Sequence, residues 1–219
     1  MVSYGSKDDN IISIGAEAIL LLDEWFGLPA VRKIRVRKKY RETTLDELIR
    51  RKRTLIEARL LIAAHEKGVP TPIVYDIDKD HYSILMEYIP GTKLRDIVES
   101  LPVKLMEKIF FEIGYHSGIL HENEICHGDL TTSNVLFVRE REAIFFIDFG
   151  LGAFTNRLED AGVDVHLFLR SLESAHTSVT KQAFKAFING YRRARSQKTV
   201  KMVLDKVEEI RSRGRYTSR

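Results

Sequence analysis

The chain has 219 residues, 44% hydrophobic and 30% charged, enough to bury a substantial core as one domain or two small lobes and unlike a disordered or fibrous composition. Lysine and arginine number 35 against 31 acidic residues, a formal net charge of +4, but residues 32–53 hold 11 basic and three acidic side chains and residues 192–219 hold ten and three, leaving an acidic body. A single cysteine, Cys126, excludes an internal disulfide; seven scattered histidines offer no structural zinc spacing, the opening MVSYGSKDDN lacks signal-peptide order, and no apolar run nears the roughly 20 residues that span a bilayer, so a soluble intracellular protein is expected.

Apolar runs at 11–15, 18–22 and 30–36, bounded by Gly or Pro, predict three strands of an antiparallel meander. Thr44-Leu45-Asp46-Glu47 has capping-box spacing, and helical periodicity runs from there to Lys67, with Gly68 placed to end it and Pro70 beyond. Strands near 73–77 and 82–88, joined by Asp78-Lys79-Asp80, complete a five-stranded lobe with one helix after its third strand, and residues 89–92 read as a hinge. Beyond it, 103–122 suits a helix, 127–148 a loop and two short strands, and 159–175, 179–194 and 198–212 three more helices before the polar, basic RSRGRYTSR. The expected division is an N-terminal lobe at 1–89, a helical lobe at 90–210 and a basic tail at 211–219.

The most informative stretch is His127-Gly128-Asp129-Leu130-Thr131-Thr132-Ser133-Asn134, followed 14 residues after Asn134 by Asp148-Phe149-Gly150. Phosphoryl transfer needs metal ions on the phosphates, a carboxylate near the attacking hydroxyl and a cation on the leaving side. The order H-x-D-x-x-x-x-N then D-F-G is that of the protein-kinase catalytic and metal-binding loops. Singly, Asp129 and Asn134 read as turn-formers and Asp148 as a cap after a strand; jointly, their spacing and the strands between them argue against coincidence.

Upstream, Val31 and Lys33 share one strand face, Val31 suited to roof an adenine and Lys33 to reach the α- and β-phosphates. The alternative for Lys33 is one more cation in a solvated run with Arg32, Arg35 and Arg37. Glu57 lies in an apolar helical stretch where an unpaired carboxylate is costly, so it is expected to pair with Lys33, or else locally with Arg53. Gly15-Ala16-Glu17-Ala18 is either a nucleotide-covering turn with one glycine where kinases place three, or a plain tight hairpin. Met86-Glu87-Tyr88 leads into the hinge, where backbone groups of Glu87 and Tyr88 can meet an adenine edge.

With HGDLTTSN, DFGLG, GAEA and RVRKKYR assembled, the chain resembles, nearly end to end, the small atypical kinase subunit of the KEOPS (EKC) tRNA-modification complex. The resemblance implies an α+β, two-lobed protein-kinase-like fold, with a five-stranded antiparallel N-terminal lobe plus one helix and a reduced, mainly helical C-terminal lobe. It implies that Gly15 to Ala18 form the phosphate turn, Lys33 and Glu57 a strand–helix ion pair, Asp129 the catalytic carboxylate, and Asn134 and Asp148 the Mg2+ ligands for ATP. It also implies support of threonylcarbamoyladenosine synthesis on tRNA in the cytoplasm, docking on the transferase subunit, and ATPase and Ser/Thr kinase activity.

The departures from ordinary protein kinases are Gly128 in place of Arg, Thr131 in place of Lys, and no A-P-E after Asp148. The peptide-substrate platform is therefore expected to be missing, making ATP hydrolysis coupled to a partner at least as good a role as phosphorylation of diverse proteins. In the tail, Arg211, Arg213, Arg215 and Arg219 alternate with Ser, Gly and Tyr216, a flexible cationic segment suited to phosphate backbones and base stacking, for which the resemblance implies tRNA. The rival readings are a RIO-type kinase, which usually departs from D-F-G; a small-molecule phosphotransferase, which needs a larger helical insert; and a pseudo-kinase scaffold, disfavoured because Asp129, Asn134 and Asp148 are all present.

Overall fold

A computed structural model describes residues 10–216. Strands β1 (Ile11–Ile14), β2 (Ala18–Trp25) and β3 (Leu28–Arg35) form the expected meander, helix α1 (Thr43–Glu66) follows, and β4 (Val74–Asp78) and β5 (Ser83–Glu87) complete an antiparallel sheet ordered β1-β2-β3-β5-β4. Because β3 is paired on both edges, with Lys33 opposite Leu20 and Ile84, the direction of its side chains is fixed by strand parity.

The capping box expected at Thr44 is not used. The helix starts two residues earlier than a cap at Thr44 requires, which puts Thr44 inside the first turn; Glu42 caps it instead, its two carboxylate oxygens accepting from the Thr44 and Leu45 amides at 2.9 and 2.8 Å. Gly68, at φ +75°, ends α1 as its position predicts, with the Val69 amide returning to the Ala64 carbonyl. Ala58, Leu61 and Ala64 of α1 bury against Val69, Ile84 and Met86, seating the helix on the sheet.

After the connection at 88–91, β6 (Thr92–Lys93) and the single-turn α2 (Leu94–Ile97) precede α3 (Val103–Glu122), β7 (Ile125–Cys126), β8 (Val135–Val138), β9 (Ala143–Phe146) and β10 (Ala153–Phe154). The small strands form a β6-β8-β9 sheet and a β7-β10 pair. Helices α4 (Leu158–Ala175), α5 (Thr180–Ala194) and α6 (Gln197–Tyr216) close the fold. Helices α3 and α5 touch backbone to backbone: a Cβ at Gly114 would stand 1.8 Å from the Phe187 carbonyl oxygen, and one at Gly190 would stand 1.9 Å from that of Phe111. Around this meeting point Phe168 stacks on Phe187 at 4.4 Å, and Phe110 and Tyr191 are fully buried.

Helix α6 runs past residue 212 to Tyr216, so the segment expected as a flexible tail from Arg211 is helical that far. Carboxylates on α4 hold it: Arg211 reaches Glu173 and Arg213 reaches Glu159, both at 3.0 Å. Arg215 and Tyr216 lie in its last turn, and Arg219 falls outside the described residues. Among the described residues, no helix is long and apolar enough to cross a membrane.

Candidate active site

The loop after β7 carries Asp129 and is built on buried polar contacts. His127 is fully buried, its ring 4.4 Å from that of Phe149; Nδ1 accepts from the Asp129 amide at 3.3 Å and Nε2 faces the Ile147 carbonyl at 3.1 Å. Burial pushes its imidazole down despite nearby carboxylates, which keeps the ring neutral and fits one donor and one acceptor nitrogen. The Asn134 side-chain amide donates to the Asp129 carbonyl at 2.9 Å and to Asp129 Oδ2 at 2.8 Å, so the two residues are held as a unit.

Asp164 of α4, which no motif identified, anchors the loop from below. Its carboxylate accepts from the His127 and Gly128 amides at 2.6 and 2.8 Å and faces His121 Nε2 at 3.2 Å, while Tyr191 bonds His121 Nδ1. Burial would raise this carboxyl, but His121 and the loop amides outweigh it and hold it below the usual range. His121, Cys126 and Asp164 come within 4.8 Å of one another, yet both His121 nitrogens are engaged, by Tyr191 and Asp164, burial pushes the Cys126 thiol up, and both Asp164 oxygens are taken by the loop amides. Gly128 is explained sterically: its φ is +80°, and a Cβ there would lie 2.1 Å from the Leu151 carbonyl oxygen, so no arginine can occupy this position.

Asp148 follows β9 in the left-handed region, at φ +62°, a conformation few non-glycine residues adopt and one common where function demands it. Its side chain is about half exposed, and Oδ1 meets Lys33 Nζ at 2.7 Å and the Gly150 amide at 3.2 Å. Burial acts to raise the Asp148 carboxyl; Lys33 offsets it and leaves the carboxyl below the ordinary range. Lys33 is buried, which would lower its pKa, but Glu57 at 2.6 Å and Asp148 together raise it. The expected Lys33–Glu57 pair is thus present, and the local Arg53 alternative is not used: Arg53 instead binds Glu17 at 2.5 Å.

Glu57 has a second cation that strand parity could have revealed. Arg35, two residues after Lys33 on the same face, is buried, and its Nη2 bonds Glu57 Oε2. The solvated-run reading holds only for the other face of β3, where Arg32 pairs with Asp23 at 2.6 Å.

These groups line one cleft of about 560 Å³, a size ordinary for a small-molecule site. It is bounded by the turn from Gly15 to Ala18 above and by Val31, Met86, Glu87 and Tyr88 toward the connection. Asp129, Asn134 and Asp148 lie on its far side, with Lys33 and Arg35 between, while Glu57 sits behind the two cations. At the connection the Glu87 amide donates to Ile73 at 2.8 Å and the Tyr88 amide to Pro29 at 3.2 Å. Of the backbone groups of these two residues only the carbonyls remain for a ligand, and Ile89, which also lines the cleft, is the next residue able to offer an amide. Of the tail residues, Arg211 and Arg213 lie on α6 against α4, away from this cleft.

Residues 29–175 match the family model of the protein kinase domain, a match that begins inside β3, after the turn over the cleft. The chain is 39% identical over 215 residues to KEOPS complex subunit Bud32 of Pyrococcus abyssi, covering 95% of this chain and 97% of that one. It is 41% identical over 208 residues to a probable bifunctional tRNA threonylcarbamoyladenosine biosynthesis protein of Methanosphaera stadtmanae, of whose length it spans 37%. Among solved structures, the Rio2 kinase-ADP/Mg2+-phosphoaspartate complex from Chaetomium thermophilum has a TM-score of 0.62 at 18% identity, covering 93% of this chain and 70% of that one. WaaP in complex with acyl carrier protein gives 0.67 at 13% identity, covering 96% and 89%. At such identities these two show the fold alone.

Proposed function

Because the chain belongs to the family of KEOPS complex subunit Bud32, within the protein kinases, we infer that it is an atypical Ser/Thr kinase and ATPase that uses ATP and Mg2+ in support of threonylcarbamoyladenosine synthesis on tRNA. The observation that carries this reading is the convergence of Asp129, braced by Asn134, with Lys33 and Asp148 on one cleft.

With Oδ2 of Asp129 engaged by Asn134, Oδ1 is the oxygen left to orient an attacking hydroxyl or water and take up its proton. Lys33, kept charged by its two carboxylates, faces the phosphates, and Val31 roofs the base. The carboxylate of Asp148 and the amide oxygen of Asn134 are a hard-oxygen set that suits Mg2+, and they are the residues that would hold it. Once bound, the ion neutralises charge developing on the transferred phosphoryl group.

Helix α4 begins ten residues after Asp148, leaving little chain for a peptide platform, so hydrolysis coupled to a partner is favoured over phosphorylation of diverse proteins. The names of the bifunctional relatives and of the KEOPS subunit support a place in threonylcarbamoyladenosine biosynthesis, with the transferase and other KEOPS subunits as partners and tRNA engaged through the basic C-terminal stretch, in the cytoplasm. The test is Mg2+-dependent ATP turnover of wild type and Asp129→Asn, with and without the transferase subunit. A loss of about 10²–10⁴-fold in the variant is expected; equal turnover in both proteins under every condition would overturn the assignment in favour of a scaffold.

A further inference from the structure

A carboxylate on a turn that covers polyphosphate is electrostatically out of place. Glu17 occupies that position in a turn with one glycine, which limits how far the backbone can adapt to a ligand. The side chain is about half exposed and does not hang free: Oε2 lies 2.5 Å from Arg53 of α1 and 3.6 Å from Arg35 Nη1 of β3. The rest of the turn is tied down as well. The Ala16 carbonyl accepts from Lys38 Nζ, the Glu17 carbonyl from the Val36 amide at 3.2 Å, and the Gly15 amide closes onto Ala18 at 2.9 Å.

Arg35 is where this tether meets the site. One Nη holds Glu57 and the other faces Glu17, and its Nε is buried without a partner, so its hold runs through the two Nη atoms alone. It also fills the space over Gly150, where a Cβ would stand 2.9 Å from Nη2. We propose that Arg35 is a positioning residue that links the phosphate-covering turn, through Glu17, to the Glu57 carboxylate of α1, fixing the turn closed and keeping α1 engaged when phosphates draw Lys33 away. Lys33 is then not the sole guarantor of α1, since Glu57 keeps one oxygen on Arg35. The turn, in its place, is held by ion pairs where an ordinary kinase relies on glycine.

The inference rests on the nucleotide-binding reading above, and its test separates the two. Mg2+-ADP affinity by titration calorimetry, and amide hydrogen exchange across residues 13–20, are measured for wild type, Arg35→Lys, Glu17→Gln and the double variant. Lysine keeps the charge but cannot span both carboxylates. Each single variant is expected to weaken binding about three- to tenfold and to speed exchange in the turn, and the double variant to lose less than the product of the two single losses, the remainder being the Arg53 pair that Arg35→Lys leaves on Glu17. A merely structural role would lower the melting temperature and leave the affinity of the folded fraction unchanged, which would overturn the proposal. So would tighter binding by Glu17→Gln, the result expected if the carboxylate acts only by repelling phosphate, and so would multiplicative losses in the double variant. A wild type that binds nucleotide but never turns it over sinks the enzymatic reading and leaves the link standing on its affinities; a wild type that binds none sinks both.

Discussion

Asp164 holds the backbone of the loop that carries Asp129 through two amide hydrogens and is itself sealed from water. Replacing it with asparagine swaps a charged acceptor for a group with one oxygen and two donors, leaving at least one loop amide facing an N–H. A loss of about 3 kcal/mol is expected at neutral pH, with lower turnover per folded molecule because Asp129 loses its support. The carboxyl is depressed in the folded state, so its contribution is complete above the unfolded value of about 4 and is lost as pH falls through the folded one. The stability gap between wild type and Asp164→Asn should therefore narrow from pH 7 to below pH 4, as read by denaturant midpoints; a gap that widens toward acid would contradict this account. Asp164 carries a weak sequence signal, an acidic residue on the buried stripe with Ala161, Phe168 and Leu172, but nothing in the sequence says which backbone it meets. Arg35 is more legible, since V-x-K-x-R puts it on the face of Val31 and Lys33; what conceals it is the crowd of exposed cations around it.

At the scale of elements, the helices are legible almost to their ends because apolar spacing persists over many turns: it predicts 103–122, 159–175 and 179–194, and α3, α4 and α5 match within one residue. The two-residue strands β6, β7 and β10 and the single turn of α2 are too short to carry a period and exist only through their partners, as when Ala153 pairs with Cys126. Nor does periodicity show how closely helices approach. The reciprocal approach at Gly114 and Gly190 sets the α3–α5 separation with backbone against backbone, so Gly190→Ala forces the Phe111 carbonyl to move. A loss of about 3 kcal/mol is expected in urea unfolding, with the KM for ATP of the surviving folded protein little changed, because the damage lies behind the site. A neutral effect on unfolding would mean that the helices can part at small cost.

Over the whole molecule, the two basic stretches behave differently. Part of the first is internal: Lys33 and Arg35 enter the cleft, and Arg50 pairs with the buried Asp46 at 2.7 Å while lying over the Tyr82 ring. The second begins at Arg192 and Arg193 in the last turn of α5 and continues along α6. Truncation after Ile210 should weaken tRNA binding and reduce the slope of log affinity against log salt by about 0.7–0.9 for each phosphate that is no longer neutralised, while Mg2+-ATP binding survives. Binding titrations between low and moderate salt would show this, and an unchanged slope would remove this end of the chain from the RNA surface.

The ion pairs that fasten α6 to α4 make any such encounter an exchange of partners. Arg211 and Arg213 already face Glu173 and Glu159, so a phosphate that takes Arg211 leaves Glu173 to gather a cation from solution, whereas Glu159 keeps Lys206 at 3.3 Å when Arg213 is taken. At Arg211 fewer ions are then set free than on an open basic surface. A polyanion engaging this end would have to displace both carboxylates, so the ion pairs would raise the density of phosphate it must present.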